Sequence, residues 1–324
     1  MAGMECPNCH HPVPATARFC DQCGRQLGEN MDQLHEQALD LYHRGLIDEA
    51  ISAWKQVLKK RPDSSKGHYY LGLALYDRGD LGDAIQAFGQ ALKVGNDEPF
   101  RVYFKLGMAQ YGIGDLQGSI DSFRKALEVN PGSAETHYRL GLSCLRSSDL
   151  EASQAALERA IAINPRYSRG LYMLGMVFSQ QGEHQKAIEA LERVVENSPG
   201  YIAALFDLGM AYFKIGNHEL AIEKFRATIE GNPRFTPGYF MLGEALRKQG
   251  QFGEAVAAYR EVAQRNPRDV DALVHIAECL IQLDMLDEAE KEIEKALAVN
   301  PGHAEAQCLK RHIGEMRIPH KPSY

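Results

Sequence analysis

The sequence lacks most of what a membrane-bound, exported or catalytic chain needs. No apolar stretch approaches the roughly 18 residues of a membrane-spanning helix. The first residues, MAGMECPNCHH, contain no apolar run of the kind that directs export, so a cytoplasmic location is expected. There is no basic run either. The formal net charge is −7; residues 1–30 carry two arginines against three acids and residues 304–324 four Lys/Arg against two, which leaves −8 on the segment between. An acidic body of this kind argues against a binder of phosphate backbones. Cysteine is scarce at seven residues: four sit in two CxxC pairs, and Cys144, Cys279 and Cys308 are scattered. That usage suits a reducing compartment and metal-bound thiolates rather than a disulfide framework. The P-loop, GxSxG, HExxH and dinucleotide glycine fingerprints are all missing. His137, His184 and His275 fall at differing places with no paired acid and nucleophile, and read as satisfied or exposed side chains. No enzymatic activity is expected.

What the sequence does have is a period. Pro131, Pro165, Pro199, Pro233, Pro267 and Pro301 are spaced 34 residues apart. Gly107, Gly141, Gly175, Gly209 and Gly243 keep the same step, as do Ser119, Ser153, Ala187, Ala221, Ala255 and Ala289. Self-similarity at this length means a stack of helical hairpins rather than one globular core. In residues 134–167, Tyr138, Leu140, Leu142, Cys144 and Leu145 cover more than one face of a first helix, and Ala156, Leu157, Ala160, Ile161 and Ile163 have helical spacing in a second. Between them lies Ser148-Asp149, where sister repeats have Gly-Asp, as at Gly79-Asp80 and Gly114-Asp115. The glycine supplies a positive φ that closes the first helix, and the aspartate caps the amides that open the second. From repeat three onward each second helix ends at Asn-Pro or Ser-Pro, because the residue before proline is pushed out of helical φ/ψ. Gly141 and Ser153 are small where the two helices cross.

These residues resemble the tetratricopeptide repeat (TPR). Leu208-Gly209, Tyr212, Ala221, Phe225 and Pro233 match its pattern in repeat six, and Leu71-Gly72, Ala84, Phe88 and Ala91 in repeat two. Repeat one, 31–64, is weaker: Gln37-Ala38 replaces Leu-Gly, while Ala50, Trp54 and Pro62 hold the phase. Repeat two has one extra residue and Gly95-Asn96 for Asn-Pro, which predicts a different bend before repeat three. Repeat eight, 270–303, has Ile276-Ala277 for Leu-Gly and Asp284 for the turn glycine. The reading is therefore an all-α chain of eight TPR repeats over 31–303, a capping helix over 304–316 and a flexible tail over 317–324. The resemblance implies a right-handed superhelix, an α-solenoid whose first helices line a concave groove, and it implies protein or peptide binding.

In the family, the groove is lined by first-helix residues off the structural positions. Here they form pairs four apart: Tyr69/Leu73, Phe104/Met108, Tyr138/Leu142, Tyr172/Met176 and Phe206/Met210. Residues at i and i+4 share a helix face, so the expectation is an apolar strip that Tyr42, Tyr76, Tyr111 and Phe213 extend. Beyond repeat six it changes to Glu244 and Glu278, flanked by Arg247 and Lys248. Such a strip fits an apolar or amphipathic partner segment, with methionine giving adaptability. The alternative is that these side chains pack between neighbouring helices and expose little. A rival chemistry is the carboxylate clamp of chaperone-binding TPRs, for which Arg101, Lys105 and Arg139 are the nearest candidates; its asparagines are missing, with Leu73 and Met108 in their slots.

Residues 6–23, CPNCHHPVPATARFCDQC, hold two CxxC pairs separated by ten residues. Cys6, Cys9, Cys20 and Cys23 are enough thiolates to close a tetrahedral Zn²⁺ site, structural because no coordination position stays open. The segment resembles the short zinc ribbon at the amino end of many prokaryotic proteins and defines, with a short linker, a domain over 1–30. His10 stands where that family has glycine. It also creates a match to C-x-x-C-H for covalent haem, which leaves the second CxxC unexplained. Arg18, Arg25 and Phe19 are the only nucleic-acid-like features of the ribbon. The function expected is a scaffold or adaptor that binds a protein or peptide. The alternatives are a nucleic-acid-associated regulator using the ribbon, and self-association through the groove.

Overall fold

The computed structural model describes residues 3–6, 8–14, 17, 19–25 and 31–317. Arg18, the linker at 26–30 and the tail from 318 onward lie outside the described residues. At the amino end, β1 (Gly3–Glu5) pairs antiparallel with β2 (Pro12–Pro14), with Met4 opposite Val13. From Met31 onward the regular elements described are all helices.

The helices come in pairs. Repeat one is α1 (Met31–His43) and α2 (Ile47–Lys60), repeat two α3 (Ser65–Arg78) and α4 (Leu81–Lys93), repeat three α5 (Pro99–Ile113) and α6 (Leu116–Val129). Repeat four is α7 (Ala134–Arg146) and α8 (Leu150–Ile163), repeat five α9 (Ser168–Gln181) and α10 (His184–Asn197), repeat six α11 (Ile202–Lys214) and α12 (His218–Gly231). Repeat seven is α13 (Thr236–Lys248) and α14 (Phe252–Arg265), repeat eight α15 (Val270–Gln282) and α16 (Leu286–Val299), and α17 (Ala304–Met316) follows. The chain forms two compact units, Met1–Ile163 and Asn164–Tyr324. Within each, the two helices of a repeat pack together and the second packs on the first helix of the next repeat.

One contact recurs inside nearly every hairpin. The second helices bury Trp54, Phe88, Phe123, Leu157, Leu191, Phe225, Tyr259 and Ile293 completely, one per repeat and in phase. From repeat two to repeat seven this anchor presses on the glycine of the facing helix. A Cβ on Gly209 would sit 2.7 Å from the Phe225 ring, and one on Gly141 2.7 Å from Leu157. The Ser153 hydroxyl donates to the Gly141 carbonyl at 2.9 Å, so the small pair at this crossing allows backbone-distance contact.

The turns follow the same logic. Gly79, Gly114, Gly182, Gly216 and Gly250 close the first helices with φ between 78° and 96°. Ser148 and Asp284 take the equivalent left-handed conformation, φ 64° and 59°, without being glycine. Asp115, Asp149 and Asn217 then accept from the amides of Gly118, Ala152 and Leu220. Asp80 does not cap; its carboxylate is held by Arg78. At the repeat ends the Asn of Asn-Pro also contributes, since Asn130, Asn164, Asn232, Asn266 and Asn300 each accept from the amide two residues on. Where repeat two lacks this motif, Gly95 is left-handed, Asn96 donates to Ser65, and a cavity of about 390 Å³ opens beside Ser65, Tyr70, Glu98 and Arg101.

Candidate partner-binding face and metal centre

Within each unit, the first helices of adjacent repeats reach each other. In the first unit, the Tyr42 hydroxyl of α1 donates to Asp77 on α3. Lys105 on α5 lies 5.4 Å over the Tyr76 ring of α3, and Arg146 on α7 lies 4.6 Å over Tyr111 of α5. In the second unit, the Tyr172 hydroxyl of α9 donates to Asp207 on α11 at 2.7 Å. Burial and then Asp207 push the Tyr172 phenol well above its ordinary range, so it stays a donor.

The ten residues of the apolar strip occupy this helical set with little exposure. Leu73 and Tyr138 are buried; Tyr69, Phe104, Met108, Leu142, Tyr172, Met176, Phe206 and Met210 are half-buried. The physical reason lies in the hairpin. Tyr69 packs 6.0 Å from Phe88, Phe104 5.8 Å from Phe123 and Phe206 5.7 Å from Phe225, each against the anchor of its own repeat. What the face offers is the outer part of these side chains rather than whole rings. The three clamp candidates are all engaged nearby: Arg101 with Glu98 at 3.1 Å, Lys105 over Tyr76, and Arg139 with Glu135 at 2.7 Å.

In repeats seven and eight the same positions hold a half-buried ionic network. Arg247 grips Glu244 through both carboxylate oxygens and reaches Glu278 at 3.6 Å. Tyr259 donates to Glu244 at 2.5 Å, and His275 sits 2.9 Å from Glu278 and 3.7 Å from Glu244. His275 therefore has two paired acids where the sequence reading has none, and it is satisfied by them. Among the described residues no reactive nucleophile joins it: Cys279, buried on the same helix, has its thiol pushed up to about 12 by burial. His137 bonds the Pro131 carbonyl, and the buried Nδ1 of His184 has no hydrogen-bond partner.

At the amino end, Cys6, Cys9, Cys20 and Cys23 bring their sulfurs within 4.8 Å of one another. Cys6 and Cys23 are 3.6 Å apart, Cys9 and Cys20 3.4 Å. A tetrahedral zinc with bonds of about 2.3 Å needs sulfurs roughly 3.8 Å apart, so the set fits with small adjustment. Each CxxC folds as a knuckle: His10 N–H donates to Cys6 O and Gly24 N–H to Cys20 O, both at 2.9 Å. His10 and Gly24 both take positive φ, 57° and 71°, so the knuckle exit requires the left-handed conformation in either case. The backbone amide of Arg25 and then Asn8 draw the Cys23 thiol down to about 6. The His11 backbone pulls Cys9 the same way, but burial and the neighbouring thiols prevail and push it up to about 12, so the sulfurs share protons as a set. Phe19 is exposed and Arg25 reaches Asn8.

The family model for the tetratricopeptide repeat matches residues 35–99, 104–168, 138–202 and 172–234, and a second model of the same repeat matches 246–313. The chain belongs to the tetratricopeptide repeat family. The model for a zinc-ribbon domain matches residues 6–27. Comparison with curated proteins finds no match. Among solved structures, TPR proteins share the fold. YrrB, described as a TPR protein with an unusual peptide-binding site, is 21% identical over 59% of this chain and 99% of its own, with a TM-score of 0.56. The C-terminal part of a TPR repeat-containing protein from Cytophaga hutchinsonii is 15% identical over 85% of this chain and 98% of its own, with a TM-score of 0.59. A MamA protein is 26% identical over 54% of this chain and 96% of its own, with a TM-score of 0.51. In this TPR chain, the half-buried network was legible only in part. Glu244/Arg247 and His275/Glu278 are i,i+3 pairs in the sequence, but the contact from His275 to Glu244 crosses from one repeat to the previous one. No helix among the described residues is long and apolar enough to cross a membrane.

Proposed function

We propose that this TPR protein is a non-enzymatic scaffold whose first-helix faces seat an apolar or amphipathic segment of a partner protein. The observation that carries the reading is the recurrence, from repeat two to repeat six, of half-buried aromatic and Leu/Met side chains on one series of helices. Because the rings are already packed on the anchors, a partner finds a rigid surface of side-chain edges. Met108, Met176 and Met210 supply the deformable part. Tyr69, Phe104, Met108 and Leu142 stay half-open to solvent in the first unit, and Tyr172, Met176, Phe206 and Met210 in the second; apolar side chains exposed on one helix series support an interaction site. The decisive experiment replaces Met108, Leu142 and Met176 together with Asn and measures partner capture by crosslinking from the native cell. Loss of capture with unchanged helical signal is the expected result; undiminished capture sinks the reading.

The four cysteines, in this reading, hold one structural Zn²⁺, with Cys6, Cys9, Cys20 and Cys23 as its ligands. The donor set is four sulfurs at near-tetrahedral separations with amides turned toward them, which supports zinc over haem. Purified protein is expected to contain one zinc per chain and no Soret band. A haem spectrum or metal-free ribbon would reverse this assignment.

A further inference from the structure

The ionic network of repeats seven and eight has a feature that no other first-helix contact described above shares: its charge depends on a proton that an imidazole carries. His275 lies on α15, yet its ring is enclosed by groups from several helices. Glu244 and Arg247 come from α13; the rings of Tyr259 on α14 and Phe240 on α13 lie 5.4 and 5.8 Å away. Glu278 is one turn along α15 itself, and the Glu305 carboxyl of α17 faces Glu278 as a further acid. Among the described residues, α16 places no charged group within ion-pair distance of the ring. With the imidazolium present, two cations face Glu244 and Glu278, and these four groups balance, with Glu305 an additional acid at their edge. With the imidazole neutral, one guanidinium remains for two half-buried carboxylates whose side chains are 15% and 24% exposed.

We propose that His275 is a proton-operated tie that fastens α15 to α13: protonated it locks repeats seven and eight together, and deprotonated it releases them to open locally. Nδ1–H donates to Glu278 in either state, so the state-dependent half of the tie is the contact of Nε2 with Glu244. Burial opposes a charged ring here, but Glu278 and Glu244 outweigh it and hold the imidazole above its ordinary value of 6.5. The sign follows from that direction. The stabilisation is fully present below the unfolded-state value and is lost as pH rises through the higher folded-state value. Glu278, bonded by His275, and Glu244 are held below their ordinary 4.5. Glu244 is buried, which works the other way, but Arg247 and Tyr259 prevail. These two carboxylates act in the opposite sense, and their contribution fades as pH falls through their lowered values. The tie is therefore tightest in the window between the carboxylates and the imidazole, on the acid side of the histidine transition.

The test is residue-resolved hydrogen exchange on the full-length protein at about pH 6 and about pH 9, corrected for intrinsic rates, together with an NMR titration of the His275 ring. Wild-type amides of α15 are expected to lose protection several-fold at the higher pH, while those of α11 and α12 do not. His275→Gln should flatten that dependence by giving low protection at both values. Glu278→Gln should move the ring's titration midpoint down. A ring that titrates at or below the free imidazole value overturns the proposal even if the variants fail to fold. So does wild-type α15 protection that is the same at both pH values, or a His275→Gln protein that keeps the wild-type dependence.

Discussion

In the zinc ribbon the buried apolar residues described are Cys6, Val13 and Cys20, two of them proposed metal ligands. A single hairpin such as repeat six buries Leu205, Leu208, Tyr212, Ile222 and Phe225, with Ala211 and Ala221 between the helices. The ribbon has two strands of three residues, and among its described side chains Val13 is the one large apolar group turned inward that is not a cysteine. On the proposed zinc assignment its order comes from metal–sulfur bonds, because so few residues cannot bury a core. The hairpins take theirs from apolar contact repeated along the stack, which is why each contributes one large anchor and why the stack needs neighbours. The two regions should then fail independently and under different insults.

The largest effect expected is on the ribbon alone. Removing zinc with a chelator, or the variant Cys20→Ser, should cost that region its folding free energy, on the order of 10 kcal/mol. The far-ultraviolet helical signal should remain, and a parallel loss of helix would show that the two regions are coupled. Next comes the anchor. Phe225→Ala leaves a cavity in a fully buried site and should lower unfolding stability by about 3–5 kcal/mol, read by urea denaturation, with zinc content untouched. Gly209→Ala attacks the same contact from the other helix. Its Cβ would meet the Phe225 ring at 2.7 Å, and a loss of roughly 1–3 kcal/mol is expected from overpacking. Smaller effects lie at the left-handed positions. Ser148→Gly should stabilise the repeats, and His10→Gly the zinc-loaded ribbon, each by about 1 kcal/mol, because neither side chain suits positive φ. Thermal melting reads the first and competition with a zinc chelator the second. If His10→Gly instead weakens zinc retention, the imidazole has a role at the site beyond occupying the turn.

The hairpins were readable from the chain because their packing is local. Each anchor and its glycine lie in one repeat, and the turn residues announce their φ. The Asn of Asn-Pro was undervalued: proline ends the helix, but the asparagine side chain caps the turn that follows. Exposure on the candidate face was not readable. Whether Phe206 opens to solvent depends on how closely it approaches Phe225 across the hairpin, a distance that no spacing rule contains. His275 escaped for a related reason. Its near acid is three residues away, but its second lies on the first helix of the previous repeat, and only the stacking of α13 beside α15 brings them within 3.7 Å.

The contact between glycine and anchor also settles which interval the chain must keep. From Gly72 to Phe88, from Gly107 to Phe123 and from Gly209 to Phe225 the separation is sixteen residues each time, and it stays sixteen even in repeat two, whose total length is one residue greater. The extra residue falls in the loop around Gly95, outside the hairpin. Heredity can therefore duplicate, delete or respace whole hairpins without breaking a single one of these locks, so long as the cut falls between an anchor and the next glycine. A length change of one residue inside the sixteen would misalign the two helices it joins. The repeat is a unit of copying as much as a unit of folding.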